Sequence, residues 1–274
     1  MWWLIRPLSF VFDLVMAPLA VLPAALGLAV LALATAVGLL WVFGRTLDAG
    51  RVELAKRRMQ AAIFEMRLFE DDLREVVRAA RQVLRHNGAY VRAWLVPVLV
   101  ASLPLMLLMA QIDGYYGRTG IMPSESTLVL AELDPIGNSE RPLVVLDAPA
   151  GLRLETSPVW FPAAGQMVWR ISPRTEGEFE LVLRAGRDVV TKAVRASDEV
   201  ARRSPRRARD DFYDALRYPS EPPLPGDSPI AALSVEYPER QISFLGWQTH
   251  WLVPYVGFLV VFAFALRRRF GVVF

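Results

Sequence analysis

Two apolar runs, Leu22–Phe43 and Val91–Gln111, bracket a basic, helix-patterned stretch from Arg45 to Tyr90. No other feature constrains the chain as strongly. At ~1.5 Å per helical residue, each run is long enough to cross a ~30 Å hydrocarbon layer. A stretch that leaves one run and enters the next begins and ends on the same membrane face. Residues 45–90 are therefore expected as a helical hairpin that leaves a membrane and returns to it.

The pattern inside the stretch supports this. Arg45–Arg92 holds eleven Lys/Arg and seven Asp/Glu. Val52, Met59, Ile63, Met66, Leu73, Val77, Ala80 and Leu84 recur every three or four residues, the stripe of an amphipathic or coiled-coil helix. Phe69-Glu70-Asp71-Asp72 is the expected reversal, because Asp71 or Asp72 can cap a new helix. Lying flat on the bilayer is the alternative for this segment. Leu22–Phe43 has no charge, Thr35 as its one polar residue, and many Ala and Gly, which suits close helix packing. Val91–Gln111 carries Pro97 and Pro104, so kinks and freed carbonyls are expected there.

Residues 1–21 place Trp2, Trp3, Phe10 and Phe12 beside Arg6 and Asp13. Such a segment reads as an interfacial amphipathic helix between Pro7 and Pro18. A signal peptide is the rival; a single Arg and no small-residue cleavage site speak against it.

After the linker 112–126 the period changes from helix to strand. Thr127–Leu133, Pro142–Leu146, Gly151–Thr156, Met167–Ser172, Glu178–Arg184 and Asp188–Val194 alternate and are separated by turn residues such as Asp134-Pro135-Ile136-Gly137-Asn138. This predicts a β-sandwich over 112–200, with a strand–corner–strand at Trp169–Leu181 that resembles Ig-like modules. The span is short for a full sandwich, so one or two strands are expected from the flanks. Residues 201–246 read as irregular. They hold the basic cluster Arg202–Arg209, expected as a solvated loop or helix start, a short helix at Asp210–Tyr218, and a stretch, Ile230–Tyr237, that fits a strand or a membrane approach. Trp247 to Leu266 is the third expected span, closed by Arg267-Arg268-Arg269 in the tail 267–274.

Charge sets the orientation. Residues 45–92 carry eleven basic groups and 267–269 three more, whereas 112–249 carries sixteen basic and twenty acidic groups. By the positive-inside rule the hairpin and C-terminus are cytosolic, and the N-terminus and β-domain lie outside an inner (plasma) membrane. The expected fold class is an α-helical membrane protein with three transmembrane helices (22–43, 91–111, 247–266), a cytosolic helical hairpin (45–90) and an external Ig-like β-sandwich.

The composition excludes much chemistry. There is no Cys, and the two His, His86 and His250, fall on opposite expected faces. No thiolate or His-based metal site is expected. There is no P-loop, GxSxG, HExxH or dinucleotide fingerprint. The trio Asp210, Asp211, Asp214 is at helical spacing, where a solvated face outweighs a metal site. An enzyme and a cofactor are not expected, nor is specific nucleic-acid binding.

The layout resembles the YidC/Oxa/Alb insertase superfamily, most closely its three-span branch of archaeal YidC-like proteins and the insertase subunit of the endoplasmic reticulum membrane protein complex. Lys56-Arg57-Arg58-Met59-Gln60-Ala-Ala-Ile63-Phe-Glu-Met66-Arg67 is similar to the family's opening of the hairpin. Pro97-Val-Leu-Val-Ala-Ser102-Leu-Pro104 is similar to its proline-flanked second-span motif, with one extra residue between the prolines. The resemblance covers roughly residues 1–111 and 247–270. It implies a non-covalent insertase or intramembrane chaperone acting on nascent or partner membrane proteins, with the ribosome as a further partner. Family members often place an Arg inside a span, and these spans carry none at their centres. A client groove would then be built from Thr35, Arg45, Arg92, Pro97, Ser102, Pro104, Met106, Met109 and Gln111. Arg57, Arg58, Met59, Met66 and Arg67 would be the hairpin's contacts to client or ribosome, the Met side chains supplying an adaptable apolar surface. The alternative is a membrane-anchored structural or assembly protein that binds a partner through the β-domain.

Overall fold

A computed structural model describes residues 2–68, 71–134, 142–209, 214, 217–218, 220–244 and 246–271. Helix α1 runs Trp2–Leu19, α2 Ala24–Thr46, α3 Ala49–Leu68 and α4 Leu73–Tyr116. Two of them, α2 and α4, are long and apolar enough to cross a membrane. The starts of α2, α3 and α4 have local causes. Pro23 precedes α2 and its carbonyl takes the Leu26 N–H at 2.9 Å. Asp48 caps α3, its Oδ1 accepting the Arg51 N–H at 3.0 Å. Asp72 caps α4, accepting the Arg74 N–H at 2.9 Å. Of the expected reversal, Asp71 and Asp72 are in place, while Phe69 and Glu70 lie outside the described residues.

The hairpin's second leg does not end before the apolar run. The 44 residues of α4 form one helix, about 66 Å long, that passes through Gly88, Pro97 and Pro104. No breaker strong enough to stop it stands between Leu84 and Val91. Further on, the apolar run expected as a third span is shorter than its sequence suggests. Helix α5 covers Leu252–Leu266, fifteen residues, followed by a 3₁₀ turn at Arg267–Phe270. Trp247–His250 is instead a strand, because its alternating residues pair with Gln241–Phe244 across a turn at Gly246 (φ 83°).

The chain divides into two compact units. The first comprises Met1–Leu28 and Leu107–Pro254, and holds all the strands. The strands are β1 (Thr127–Leu133), β2 (Val144–Asp147), β3 (Leu152–Leu154), β4 (Val159–Phe161), β5 (Gln166–Pro173), β6 (Gly177–Ala185), β7 (Asp188–Ala196), β8 (Arg206–Ala208), β9 (Ile230–Val235), β10 (Gln241–Phe244) and β11 (Trp247–His250). One antiparallel sheet has the order β3-β5-β1-β9-β8, with β4 also on β5; a second has the order β2-β6-β7. Their inward residues share one apolar cluster. Val129, Ala131, Met167, Trp169 and Ile171 come from the first sheet, Leu146, Leu181, Leu183 and Val194 from the second. Alternation drives this: β1 is buried at every second position. Trp169 is 1% exposed at its centre; truncating such a side chain costs about 3–5 kcal/mol.

Segment 201–246, read as largely irregular, supplies β8, β9 and β10. Of the two readings of Ile230–Tyr237 the strand is the one formed: β9 sits inside the first sheet, beside β1, as a strand contributed by the flank. Its residues Ile230, Leu233 and Val235 are as buried as the strands before it. The short helix expected at Asp210–Tyr218 lies largely outside the described residues, as do Pro135 to Asn138 of the expected turn.

The second unit comprises Ala29–Met106 and Tyr255–Phe274 and is helical. The small residues of α2 are used in packing: Ala32 and Ala36 are fully buried, and Leu40 nearly so. Thr35 lies beside this stripe. Its hydroxyl donates to Leu31 O at 2.8 Å and accepts from the Tyr255 hydroxyl of α5 at 2.8 Å.

Candidate functional sites, an arginine neck and a basic hairpin cavity

In the first unit, α1 and the end of α4 are joined to the β-domain by arginines. Phe12, Met16 and Leu19 form the buried stripe of α1. Asp13 lies on the same side. Arg202 pairs with the Asp13 carboxylate at 2.7 Å and donates to Gln111 Oε1 at 2.8 Å. The Tyr115 hydroxyl donates to Asp13 at 2.5 Å, and the Gln111 amide donates to Ser9 Oγ at 3.1 Å. The guanidinium also lies over the Tyr115 ring, 5.2 Å from its centre. A buried charge is tolerated only when paired and hydrogen-bonded, and this one is both.

Arg203, 2% exposed, closes the loop beside it. Its two terminal nitrogens donate to the carbonyls of Ser197 (2.6 Å), Glu199 (2.8 Å), Ala201 (3.0 Å) and Arg118 (3.2 Å). Burial, and then Arg240 nearby, hold it below the ordinary guanidinium value. Arg240 donates to the same loop at Asp198 O (2.7 Å) and Glu199 O (3.0 Å). Gly120 fits here because its Cα faces the Ser197 backbone with no room for a Cβ.

The rest of the basic run is committed in the same way. Arg206 makes a two-pronged bond to Glu132 at 2.7 and 2.9 Å, and reaches Asp214 at 3.3 Å. That bond holds the Glu132 carboxyl below its usual range. Arg207 donates to Pro222 O at 2.8 Å and to Thr191 O; Arg209 donates to Ser228 O at 2.6 Å and pairs with Asp134. The cluster expected as a solvated loop is thus internal cement and a sheet strand. A planar guanidinium can satisfy several loop carbonyls at once, which a solvated chain would leave to water. Behind it, Lys192 is fully buried, donating to Ser204 O at 2.6 Å and Ser204 Oγ at 2.8 Å and paired with Glu221. Burial pushes this lysine down to about 8.

The residues expected to form a client groove are divided between the two units. Gln111 and Met109 belong to the first unit, where Gln111 is consumed in the neck. In the second unit, Thr35 is consumed in packing, Ser102 Oγ donates to Leu99 O at 2.8 Å, and Arg45 lies over the Trp41 ring at 5.5 Å. Pro97 is buried, while Pro104 and Met106 are exposed. Of the hairpin residues, Arg57 pairs with Glu53 at 2.8 Å, Arg67 is exposed, and Met59 and Met66 are half-buried.

Two of the expected residues do come together. Arg58 of α3 and Arg92 of α4 line a cavity of about 640 Å³ in the second unit, with Arg51, His86, Thr46 and Asp48. The lining follows helical spacing: residues 51, 54, 55 and 58 on α3 face 86, 89, 93 and 96 on α4. The rest of its lining is apolar, from Leu54, Ala55, Ala89, Ala93 and Val96. Asp48 is its one carboxylate and is paired with Arg51 at 2.9 Å. Among the described residues, Arg58, His86 and Arg92 have no hydrogen-bond or ion-pair partner.

Further along the hairpin, large apolar side chains are exposed: Phe64 at 67%, Leu68 at 75%, Leu73 at 76% and Leu84 at 71%. Phe64, Leu68 and Leu73 flank the reversal. Sequence periodicity puts Leu73 and Leu84 on a buried stripe, and the structure leaves them uncovered. Among the described residues no three of His, Asp and Glu gather as a metal site requires. No protein-family model, no curated protein and no solved structure matches this chain.

Proposed function

We propose that this chain is a multi-pass membrane protein of insertase or intramembrane-chaperone type, acting without covalent chemistry. The observation that carries the reading is the apolar tip of the hairpin. Phe64, Leu68 and Leu73 stand exposed at the far end of a highly charged helix pair. An uncovered apolar patch on a polar support is a docking surface for an apolar segment. A membrane-bound client presents such a segment before it is inserted. Half-buried Met59 and Met66 lie behind the tip and can adapt to varied clients.

In this reading α2 and α4 are spans, and α5 is the third. Its fifteen α-helical residues give about 22 Å and the 3₁₀ turn adds roughly 8 Å, so Arg267–Arg269 reach the headgroups on the hairpin side. The hairpin and the C-terminus are cytosolic and the β-domain is outside. Photoreactive residues at Phe64, Ser102 and Phe161 test the function in cells. Nascent membrane proteins captured at Phe64 and Ser102 are the expected result. Capture of lipid alone at Phe64 would mean that the hairpin lies on the bilayer, and would end the reading.

A second reading, an anchored assembly protein, is favoured by β4. Among the described residues this short edge strand pairs only with β5, and it exposes half of both Val159 and Phe161. One stable partner at Phe161, with nothing nascent at the other two positions, would establish it.

A further inference from the structure

We propose that the cavity between α3 and α4 is a binding site for the phosphate headgroup of an anionic phospholipid. The inference rests on reading α2 and α4 as membrane spans, but not on any client.

Three observations converge. The first is charge. Arg51, Arg58, His86 and Arg92 face one space that contains a single carboxylate, Asp48, already paired with Arg51. Arg58 and Arg92 have no counter-charge among the described residues. Arg202 and Arg206 of the first unit, by contrast, each pair with a carboxylate. Two unpaired guanidinium groups converging from different helices offer forked donors to a phosphate.

The second observation is size and lining. At about 640 Å³ the cavity falls within the range of sites that hold an organic ligand, and a lone phosphate would fill little of it. Much of its lining, including Leu54, Ala55, Ala89 and Val96, is apolar. A lining that is part basic and part apolar fits a molecule with an anionic head and an aliphatic body.

The third is position. The cavity lies where α4 passes from the charged hairpin into the apolar run that begins at Val91, and where α2 ends at Thr46. In a membrane that level is the headgroup layer, where basic pockets between helices meet anionic lipids. An occupant there would also join the base of α3 to α4 and set the angle at which the hairpin stands.

The test uses the full chain in a neutral detergent and native mass spectrometry, with phosphatidylglycerol, phosphatidylcholine and inorganic phosphate as probes. One phosphatidylglycerol per chain is expected to bind saturably and in preference to phosphatidylcholine. Its affinity should fall at least about tenfold in an Arg58→Gln/Arg92→Gln variant. An Arg187→Gln control, in the exposed β6–β7 turn, should bind as the parent does. Circular dichroism checks that the variants fold, and His86→Gln offers a milder second change expected to weaken binding less. Equal binding of the two lipids, or no loss in the double variant, would overturn the proposal. So would displacement of phosphatidylglycerol by inorganic phosphate at the concentration where phosphate itself saturates, which would make this a free-phosphate site. A chain that binds the lipid but captures no nascent segment at Phe64 would lose the insertase reading and keep the site.

Discussion

The two units use the same residue for opposite ends. In the first, arginines 202, 203, 206, 207, 209 and 240 are buried or half-buried and turn inward to carboxylates and loop carbonyls. In the second, Arg58 and Arg92 face a cavity with no partner among the described residues, and large apolar side chains stand exposed beyond them. The first arrangement fixes a shape. The second leaves charge and apolar surface unsatisfied, which is the condition for binding something else. Counting basic residues cannot separate the two cases; only the acceptors around each guanidinium can.

The comparison breaks most visibly at Arg203. Its removal takes the guanidinium donor from the half-buried Ser197 and Ala201 carbonyls and leaves Glu199 O and Arg118 O to Arg240 alone. Arg203→Met is expected to destabilise the first unit by about 3–5 kcal/mol, read by denaturant unfolding of the solubilised chain. Arg203→Lys should recover little, because one ammonium cannot reach acceptors spread around a planar fork. A loss under about 1 kcal/mol would show that the loop is held by other means.

Lys192 gives the next effect, through pH. Its folded value, about 8, is below its ordinary value of 10.5 because burial disfavours the charge. Between those values the unfolded chain holds more protons than the folded one. Stability therefore rises with pH across that window, by a few kcal/mol on linkage arithmetic. Tyr237, pushed up to about 12 by burial, opposes this only above about pH 10. A Lys192→Met/Glu221→Gln variant should flatten the rise in a thermal-denaturation series, and an unchanged slope would mean that another group supplies it.

Glu132 has the reverse sign. Its folded value lies below 4.5, chiefly through the Arg206 bond, so its contribution is present above 4.5 and is lost as pH falls through the folded value. The pair is partly open to water, and about 1 kcal/mol is the expected scale. Glu132→Gln should remove that acid-side loss.

Alternation alone makes strands legible: β1 is expected at Thr127–Leu133 and forms there. The Asp72 cap is legible too, because the acidic turn has a local mechanism. What escapes is decided by distant partners. Arg203 meets a carbonyl 85 residues away, so nothing near it in sequence distinguishes cement from a solvated patch. β4 is three residues between Pro158 and Pro162, too short to show a period. At Trp247–His250 two signals compete. Tryptophans beside an apolar run suggest the end of a span, and pairing with β10 prevails. In the cavity, Arg58 and Arg92 each stand out in the sequence, for different reasons. That they face each other depends on the register of α3 against α4, which no single stripe specifies.

The smallest expected effect is the sharpest test of the contrast. If Arg58 and Arg92 are unpaired in the free protein, replacing both with Gln removes no bond and relieves a like-charge encounter. Stability should then stay within about 0.5 kcal/mol of the parent, or rise slightly, in thermal denaturation at low salt. Raising the salt should shrink even that difference, because exposed charges more than a Debye length apart are screened at about 10 Å in 0.1 M salt. A drop of several kcal/mol would place both guanidiniums in structural bonds like those of the neck. The two units would then differ in degree rather than in kind. Near-neutrality, set against the large loss expected at Arg203, would show that the hairpin's charge is held in reserve for a ligand.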